Sequence, residues 1–378
     1  MIRARFLTRA IVLNAIPPHH AALKINNIRI MFRRVAPYLG GLIVSAIGGA
    51  ISVWLNTPLP WMIGPLVGMA IFKFGGADLR APTLAREFGQ FIIAITLGLY
   101  FTPSIAREVA GSWAVLLAAA FASILIGCIA ARFLAATARI DQATAYFASI
   151  PGGAAEMAHL GERFNASVER VAVAHSLRIL IVVCTIPFAV VFLGGQGTDA
   201  YRPVLIPHDW GRLIMLFALV SVFGLVFQIL RFPNCWMMGP LLGAIIITAS
   251  GLEFSSMPGW LANVAQLLLG CALGSRFRQS FLRDAPRFVA CLIPSIYLTM
   301  GIAALLGWGL AHAAGVSVQT MILATAPGGI AEMSITARVL KLGVALVTAA
   351  HVTRVMIILT FTLPVYRLLS RLNRSMSR

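Results

Sequence analysis

Two sets of ionisable and helix-breaking residues recur in this chain at a fixed spacing, and they are the residues best suited to chemistry. Each set has a Pro-Gly-Gly motif, a glutamate three residues later and a His-x-x-Arg pair further on. The members are Pro151, Gly152, Gly153, Glu156, His175 and Arg178 in the first half, and Pro327, Gly328, Gly329, Glu332, His351 and Arg354 in the second, 176 positions later. A carboxylate near a base and a guanidinium in an apolar chain is typical of proton or cation transfer and of anion binding.

The Pro-Gly-Gly motifs predict a break in an apolar helix. Proline removes a backbone donor and clashes with the preceding turn, and glycine permits positive φ. Lipid cannot satisfy the N–H and C=O groups left unpaired at such a break. A helix that starts after Gly153 or Gly329 would direct its positive end at whatever fills the gap. The alternative is a kink that serves packing alone.

The two glutamates have two interpretations. Carboxylates within a membrane are costly and usually pair or titrate, so Glu156 and Glu332 could carry a coupling proton or cation in a wet cavity. Glu332 is the only acidic residue after Asp284, so it is not one of many surface acids. Near a helix start, however, a glutamate can simply cap backbone donors.

The His-x-x-Arg pairs present both side chains on one helix face. They could partner the glutamates or bind an anionic solute, for which arginine offers two parallel donors. The alternative is an arginine that reaches the membrane interface and a histidine satisfied in the core. Gln90 and Gln266, also 176 apart, could line the same cavity. Trp61 and Trp236 are more typical of interface anchors than of ligand contacts.

The elements that must position these residues form a duplication. The sequence WMIGPLVG at 61–68 recurs as WMMGPLLG at 236–243. Each half predicts six apolar segments, and the fifth contains the break. They lie near 37–55, 61–75, 86–101, 112–134, 141–161 and 168–193, and near 212–231, 236–251, 262–275, 287–311, 318–336 and 343–366.

The composition indicates a membrane protein. The chain is 59% hydrophobic and 11% charged, whereas soluble domains are about 25% charged. Several apolar runs approach the roughly 20 residues that cross a bilayer. The net charge of +18 is scattered singly through loops. This distribution follows the positive-inside rule and argues against a nucleic-acid interface.

The basic residues of matching loops predict that the halves are inverted. Between segments two and three only the first half carries lysine or arginine, between three and four the second half carries more, and between four and five only the first. The loop between segments two and three has Lys73, Arg80 and Arg86 in the first half. The loop between segments three and four has only Arg107 in the first half but Arg276, Arg278, Arg283 and Arg287 in the second. The loop between segments four and five has Arg132 and Arg139 in the first half. Such alternation needs an odd number of crossings per half. We therefore predict an all-α polytopic membrane protein with two inverted repeats of about five crossing helices each, plus one Pro-Gly-Gly broken or re-entrant element per repeat. Arg338 and Lys341 then lie outside, against the rule.

The predicted organisation is a basic leader at 1–35, repeats at 36–194 and 212–370, a linker at 195–211 and a basic tail at 371–378. Basic ends predict that both termini are cytoplasmic, in a bacterial inner membrane. Residues 1–30 make a poor signal peptide, and Met31 before Phe32-Arg33-Arg34 would be a natural start. Part of the leader is therefore expected to be non-native.

Catalytic motifs are absent from the sequence. The five cysteines are dispersed, and the seven histidines show no metal-binding spacing. No phosphate-binding Gly-x-x-x-x-Gly-Lys loop and no recognisable Ser/His/Asp set occurs. We expect no enzyme activity, no catalytic residue, no metal site and no cofactor.

The paired Trp-Met-x-Gly-Pro-Leu and Pro-Gly-Gly-x-Ala-Glu-Met blocks, with His-x-x-Arg downstream, resemble the bacterial AbrB membrane family over about residues 36–370. This duplicated inner-membrane family is often labelled "putative ammonia monooxygenase" or "AbrB family transcriptional regulator". A copper monooxygenase needs a histidine-rich site and a DNA-binding regulator needs a soluble module, and neither is visible in the sequence. The resemblance implies the fold and leaves the function open.

The pattern favours an ion-coupled secondary transporter or exporter of a small anionic solute. Glu156 and Glu332 would carry a proton or sodium ion, and the broken-helix ends with Arg178 and Arg354 would hold the solute. The alternative is a membrane ligand sensor or regulator that acts on gene expression indirectly, without transport. The expected partners are the solute, the coupling ion and the lipid bilayer, with no nucleic acid; a homodimer is left open.

Overall fold

A computed structural model of the protein describes residues 18–194, 208–252 and 254–376, and the regular structure in these ranges is helical. The helices of the first half are α1 (Pro18–Trp54), α2 (Pro60–Phe74), α3 (Thr83–Gly98), α4 (Pro103–Gly111), α5 (Trp113–Ala138), α6 (Gln142–Ser149), α7 (Ala154–Glu162) and α8 (Val168–Phe192). Those of the second half are α9 (Trp210–Ile229), α10 (Cys235–Ala249), α11 (Gly259–Gly274), α12 (Ser280–Asp284), α13 (Pro286–Ala314), α14 (Val318–Thr325), α15 (Ile330–Val339) and α16 (Val344–Met376).

The helix boundaries repeat with the sequence motifs. α3 and α11 begin at Thr83 and Gly259, and α6 and α14 begin at Gln142 and Val318, both 176 positions apart. The capping chemistry also recurs, because Asp141 accepts a hydrogen bond from Thr144 N and Ser317 accepts one from Thr320 N. Each side chain satisfies a donor that the first turn leaves unpaired. The two halves therefore share one helix order.

Among the described residues, six helices are long and apolar enough to cross a membrane, three from each half. They are Val35–Trp54, Trp113–Ala138, Val168–Phe192, Trp210–Ile229, Pro286–Ala314 and Val344–Leu372. A seventh span would join α3 to α4, which meet at an angle of 90°. This helical composition confirms the predicted all-α polytopic membrane fold.

The remaining predicted crossings are shorter helices. α2 and α10 have 15 residues each, and α3 and α11 have 16. At 1.5 Å per residue such helices are about 22–24 Å long, less than the ~30 Å hydrocarbon core. Of the five crossings predicted per half, three correspond to helices of membrane-spanning length and two to these shorter apolar helices.

The helices pack as two groups. In the first, α2 packs on α11, α3 packs on α10 and α3 packs on α11, so each half's second helix lies on the other half's third. In the second, α5 packs on α13 and α16, and α13 packs on α14. The groups meet where α3 contacts α15 and α2 contacts α8. This junction positions the site described below.

The predicted leader, linker and tail fall partly outside the described residues. Positions 1–17, 195–207 and 377–378 lie outside them. Within them, positions 18–35 belong to α1, and positions 371–376 belong to α16. These parts of the leader and tail thus continue membrane helices along the chain.

Candidate functional site

Both Pro-Gly-Gly motifs interrupt a helix, as the sequence predicts. α6 ends at Ser149 and α7 begins at Ala154, while α14 ends at Thr325 and α15 begins at Ile330. The carboxyl end of one short helix therefore adjoins the amino end of the next. Their unpaired carbonyl and N–H groups carry opposite partial charges within one gap.

The motif glycines are needed for close approach and not for positive φ. Gly153 and Gly329, the N-cap residues, have φ of −70° and −84°. A Cβ on either glycine would overlap the carboxylate of Glu156 or Glu332, which folds back over its own helix start. This geometry agrees with the capping interpretation of the glutamates.

The preceding glycine of each motif makes room for a methionine. A Cβ on Gly152 would lie 2.8 Å from Met157 Cε, and one on Gly328 would lie 2.7 Å from Met333 Cγ. Both methionines have no exposed surface. At each break, a glutamate carboxylate therefore packs against one glycine and a methionine side chain packs against the other.

The two arginines of the His-x-x-Arg pairs hold the breaks in shape. Arg178 donates to the carbonyls of Ile150 and Gly152, at 3.2 and 3.3 Å. Arg354 donates to the corresponding carbonyls of Ala326 and Gly328. In each pair, one carbonyl belongs to the C-cap residue of α6 or α14 and the other to the first motif glycine within the break. A cation is favourable there because the carboxyl end of a helix is its negative end.

The two histidines bond to the helices that precede the breaks, α6 and α14. Nε2 of His175 lies 2.9 Å from Phe147 O, and Nε2 of His351 lies 2.9 Å from Leu323 O. Neither ring has exposed surface. The sequence left open whether these residues would partner the glutamates; in the structure both histidines bond to backbone instead.

The breaks of the two halves open into one cavity of about 880 Å³. Ten of the fourteen residues predicted to form a site line it: Gln90, Pro151, Gly152, Gly153, Glu156, Arg178, Gly328, Gly329, Glu332 and Arg354. The other four, His175, Gln266, Pro327 and His351, are buried behind its wall. Trp61 and Trp236 also lie outside the lining and pack on Gly49 and Gly224.

Sequence reasoning missed several polar residues of the cavity. Arg86, Arg276 and Arg278 were interpreted only as loop charges, yet all three line it, as do Glu169 and Asn234. Arg86 donates to Asn234 Oδ1 at 2.9 Å and so joins α3 of the first half to the start of α10 in the second. Its position four residues before Gln90, on the same helix face, was the available signal.

The cavity carries an excess of positive charge. Five arginines (Arg86, Arg178, Arg276, Arg278 and Arg354) and three glutamates (Glu156, Glu169 and Glu332) line it. Five minus three leaves a formal charge of +2. Among the described residues, none of these arginines lies within 4.0 Å of one of these glutamates. The surplus charge suits an anion.

The two halves of the cavity differ in exposure. Glu332 is only 8% exposed, and the α15 residues from Ile330 to Ala337 are all buried. Glu156 is half-buried, and its neighbour Ala155 is exposed. The second break is therefore less exposed than the first, although both line the same cavity.

The described residues contain no group of three or more His, Cys, Asp or Glu that could hold a metal ion. The cavity instead offers guanidinium groups, helix amino ends and apolar side chains such as Ile179, Met237 and Leu269. Such a lining can bind a small organic anion through its charged group and its apolar body.

Comparison with known proteins connects this arrangement to a family. Residues 61–370 match the family described as "Transition state regulatory protein AbrB". The chain is 27% identical over 307 residues to "Putative regulator AbrB" of Escherichia coli strain K12, covering 81% of this chain and 88% of that protein. It is 28% identical over 365 residues to "Uncharacterized protein YhjN" of Bacillus subtilis strain 168, covering 87% of this chain and 92% of that protein.

Proposed function

The chain belongs to the AbrB family of membrane proteins, and from that premise we propose that it is an ion-coupled secondary transporter or exporter of a small organic anion. One observation carries the proposal: two helix breaks, 176 residues apart in sequence, line a single charged cavity. Broken helices that converge from two repeats are the usual substrate site of such transporters. In this proposal the protein is not an enzyme and needs no cofactor, and it works in the bacterial inner membrane with both termini cytoplasmic.

The proposal includes inverted repeats, which two features support. Arg86 lies in the first turn of α3, and Arg276 lies just beyond the last residue of α11, yet both line the same cavity. The amino end of α3 therefore lies with the carboxyl end of α11, although the two helices are equivalent in the repeats. The exchange of second and third helices between halves is also what a two-fold arrangement in the membrane plane would produce.

Three roles follow for the cavity. Glu156 and Glu332 carry the coupling cation, because they are the acids at the breaks. Arg178 and Arg354 fix the break carbonyls and supply positive charge for the solute. The half-open first break gives one side of the membrane access to the shared cavity, and transport requires the same cavity to open to the other side in turn.

A second candidate is a membrane sensor that binds the same anion without moving it and regulates gene expression indirectly. The name of the Escherichia coli relative, "Putative regulator AbrB", favours it. Its cavity chemistry would be the same, and movement of the anion across the membrane distinguishes a transporter from a sensor.

Counterflow in proteoliposomes tests the proposal. Vesicles that contain the purified full chain and unlabelled benzenesulfonate or methanesulfonate, which stay ionised, should accumulate the labelled anion from outside, and vesicles without the protein should not. Glu156→Gln and Glu332→Gln should lower the rate of uptake driven by an imposed proton or sodium gradient by about tenfold or more, because each removes a coupling carboxylate. Glu162→Gln is the matched control, since this exposed residue ends α7 away from the cavity.

The outcomes separate the candidates. Saturable binding of either anion without counterflow would reject transport and favour the sensor. Gradient-driven uptake that both break variants retain in full would reject the coupling role of the glutamates.

A further inference from the structure

Each glutamate at a break occupies the position that an anion would take. Glu156 and Glu332 are the third residues of α7 and α15, and their carboxylates fold back over the N-cap glycines. The amino end of a helix is its positive end and binds anions through free N–H groups. An anion can therefore reach these donors only if the carboxylate leaves.

A second observation points to a missing acceptor at both breaks. Nε of Arg178 and Nε of Arg354 are buried and have no hydrogen-bond partner. The two side chains are 7% and 3% exposed, and both line the cavity. Buried guanidinium N–H groups are normally satisfied. Equivalent orphan donors on both halves indicate that the site is built for one more anionic group.

Charge balance decides which ion must accompany that anion. Arg86, Arg276 and Arg354 all act electrostatically on Glu332, so its ionised carboxylate offsets their charge. Protonation of one glutamate adds +1 to the cavity, and a bound monoanion adds −1. Together they leave the formal charge of +2 unchanged. A sodium ion at the same place would face the arginines directly, which Coulomb repulsion opposes.

Resting on the proposed function, we infer that the coupling ion is a proton, which binds together with the anion because protonation of a glutamate frees the donors for which its ionised carboxylate and the anion compete. The protonated side chain releases the helix start, and the carboxylate of the anion replaces it beside the arginine. The ligand class is a small organic carboxylate whose apolar body contacts side chains such as Met237, Leu269 and Phe281. Proton and anion therefore move in the same direction.

The surrounding ionisable groups do not supply another proton acceptor at the breaks. On the elements packed against α7 and α15, the ionisable groups that line the cavity are Arg86 of α3, Glu169 and Arg178 of α8 and Arg354 of α16, with Arg276 and Arg278 just after α11; Glu87 of α3 lies outside the lining. His175 and His351 bond through Nε2 to backbone carbonyls, and each lies three residues before an arginine whose charge opposes a second cation. Tyr146 donates to Thr362 O, Arg170 lies over the ring of Phe288, and His159 and Glu162 of α7 are exposed and pair with each other. Glu169 lies in the first turn of α8 and belongs to neither break.

Equilibrium binding of labelled benzoate and acetate to the purified full chain in detergent tests the inference. If one proton is taken up with each anion, the dissociation constant should rise about tenfold per pH unit between about pH 6 and pH 8. The double variant Glu156→Gln/Glu332→Gln should bind with a dissociation constant that changes less than about twofold over this range, because its neutral amides mimic the protonated acids. Glu162→Gln should keep the wild-type pH dependence, and benzoate should bind more tightly than acetate.

Two results would overturn the inference, and they differ in what else they overturn. Saturable wild-type binding that is independent of pH, or that strengthens as pH rises, rejects co-binding of the proton and leaves the proposed transport of anions intact. Absence of saturable binding of both anions, in the wild type at the lowest pH and in the double variant, rejects the anion site and the proposed function together.

Discussion

Replacing Arg354 by methionine should be among the most destabilising single changes in this protein. The guanidinium donates to the carbonyls of Ala326 and Gly328, both of which are buried. Methionine keeps much of the apolar stem and removes both donors, and each buried carbonyl left unpaired costs roughly 1–3 kcal/mol. We expect a loss of about 2–5 kcal/mol, or a fall of about 5–15 °C in apparent melting temperature in detergent.

Matched variants make this prediction specific. Arg178→Met should cost less than Arg354→Met, because Gly152 is only half-buried and Ile150 O keeps the hydrogen bond from Gly152 N. Arg354→Lys should lose less stability than Arg354→Met but more than the wild type, since an ammonium lacks the planar pair of N–H donors that reaches both carbonyls. Arg367→Met, at an exposed position of the same helix, should melt like the wild type. Equal melting temperatures for the Arg354 and Arg367 variants would contradict the role of Arg354 at the break.

Replacing Gly64 by valine should separate α1 from α2. A Cβ on Gly64 would overlap the backbone carbonyl of Gly48, and a Cβ on Gly48 would overlap that of Gly64. The two helix backbones thus touch at this crossing, as small residues allow in membrane helices. Because backbone and not a flexible side chain stands in the way, we expect a loss of about 3 kcal/mol or more.

The control for this prediction is Gly301→Val. Gly301 also lies within a helix, α13, but nothing stands within 4 Å of its Cβ position. The two variants share the change in helix propensity and differ in packing. Thermal unfolding in detergent should show a much lower melting temperature for Gly64→Val than for Gly301→Val. Similar melting of the two variants would contradict a close crossing at Gly64.

The helix order and the position of the breaks could be predicted from sequence because the duplication presents the same weak signals twice, at the same register. Proline and glycine at the same register in both halves fix where α6 and α14 must end. The predicted segments near 61–75 and 236–251 differ from α2 and α10 by at most two residues at either end. α4 was missed as a helix, because a nine-residue segment with Arg107 and Glu108 shows no membrane-length apolar run.

The roles of individual side chains were less predictable. Sequence spacing places His175 and Arg178 on one helix face but does not say which backbone groups they reach across 28 positions. Long-range contacts of this kind depend on how α6 packs on α8. The sequence shows that the glycines permit positive φ, whereas the structure requires them for the space that a folded-back glutamate occupies, which depends on a side-chain conformation.

The cavity arginines show a further limit. Arg86 and Arg276 have no counterpart in the other half, where Ala262 and Tyr100 stand 176 positions away. A search for repeated residues therefore passes over them, and positive-inside counting assigns them to loops. They reach the site only because the amino end of α3 and the carboxyl end of α11 lie at the same cavity.

The central claim, that the two breaks share one hydrated cavity, is tested most directly by cysteine accessibility. The variants Ala155→Cys and Ala331→Cys place thiols at equivalent cavity-lining positions. Ala337→Cys, on α15 but with no exposed surface, is the control. The background replaces the native cysteines: Cys128, Cys184, Cys235, Cys271 and Cys291. The reagent is a charged, water-soluble methanethiosulfonate added to one side of sealed vesicles.

Thiol modification needs water access, since the thiolate is the reactive form. We predict that Ala155→Cys and Ala331→Cys react from the same side of the membrane, at least about tenfold faster than Ala337→Cys. If both react no faster than the control, or if they react only from opposite sides, the two breaks do not meet in one cavity.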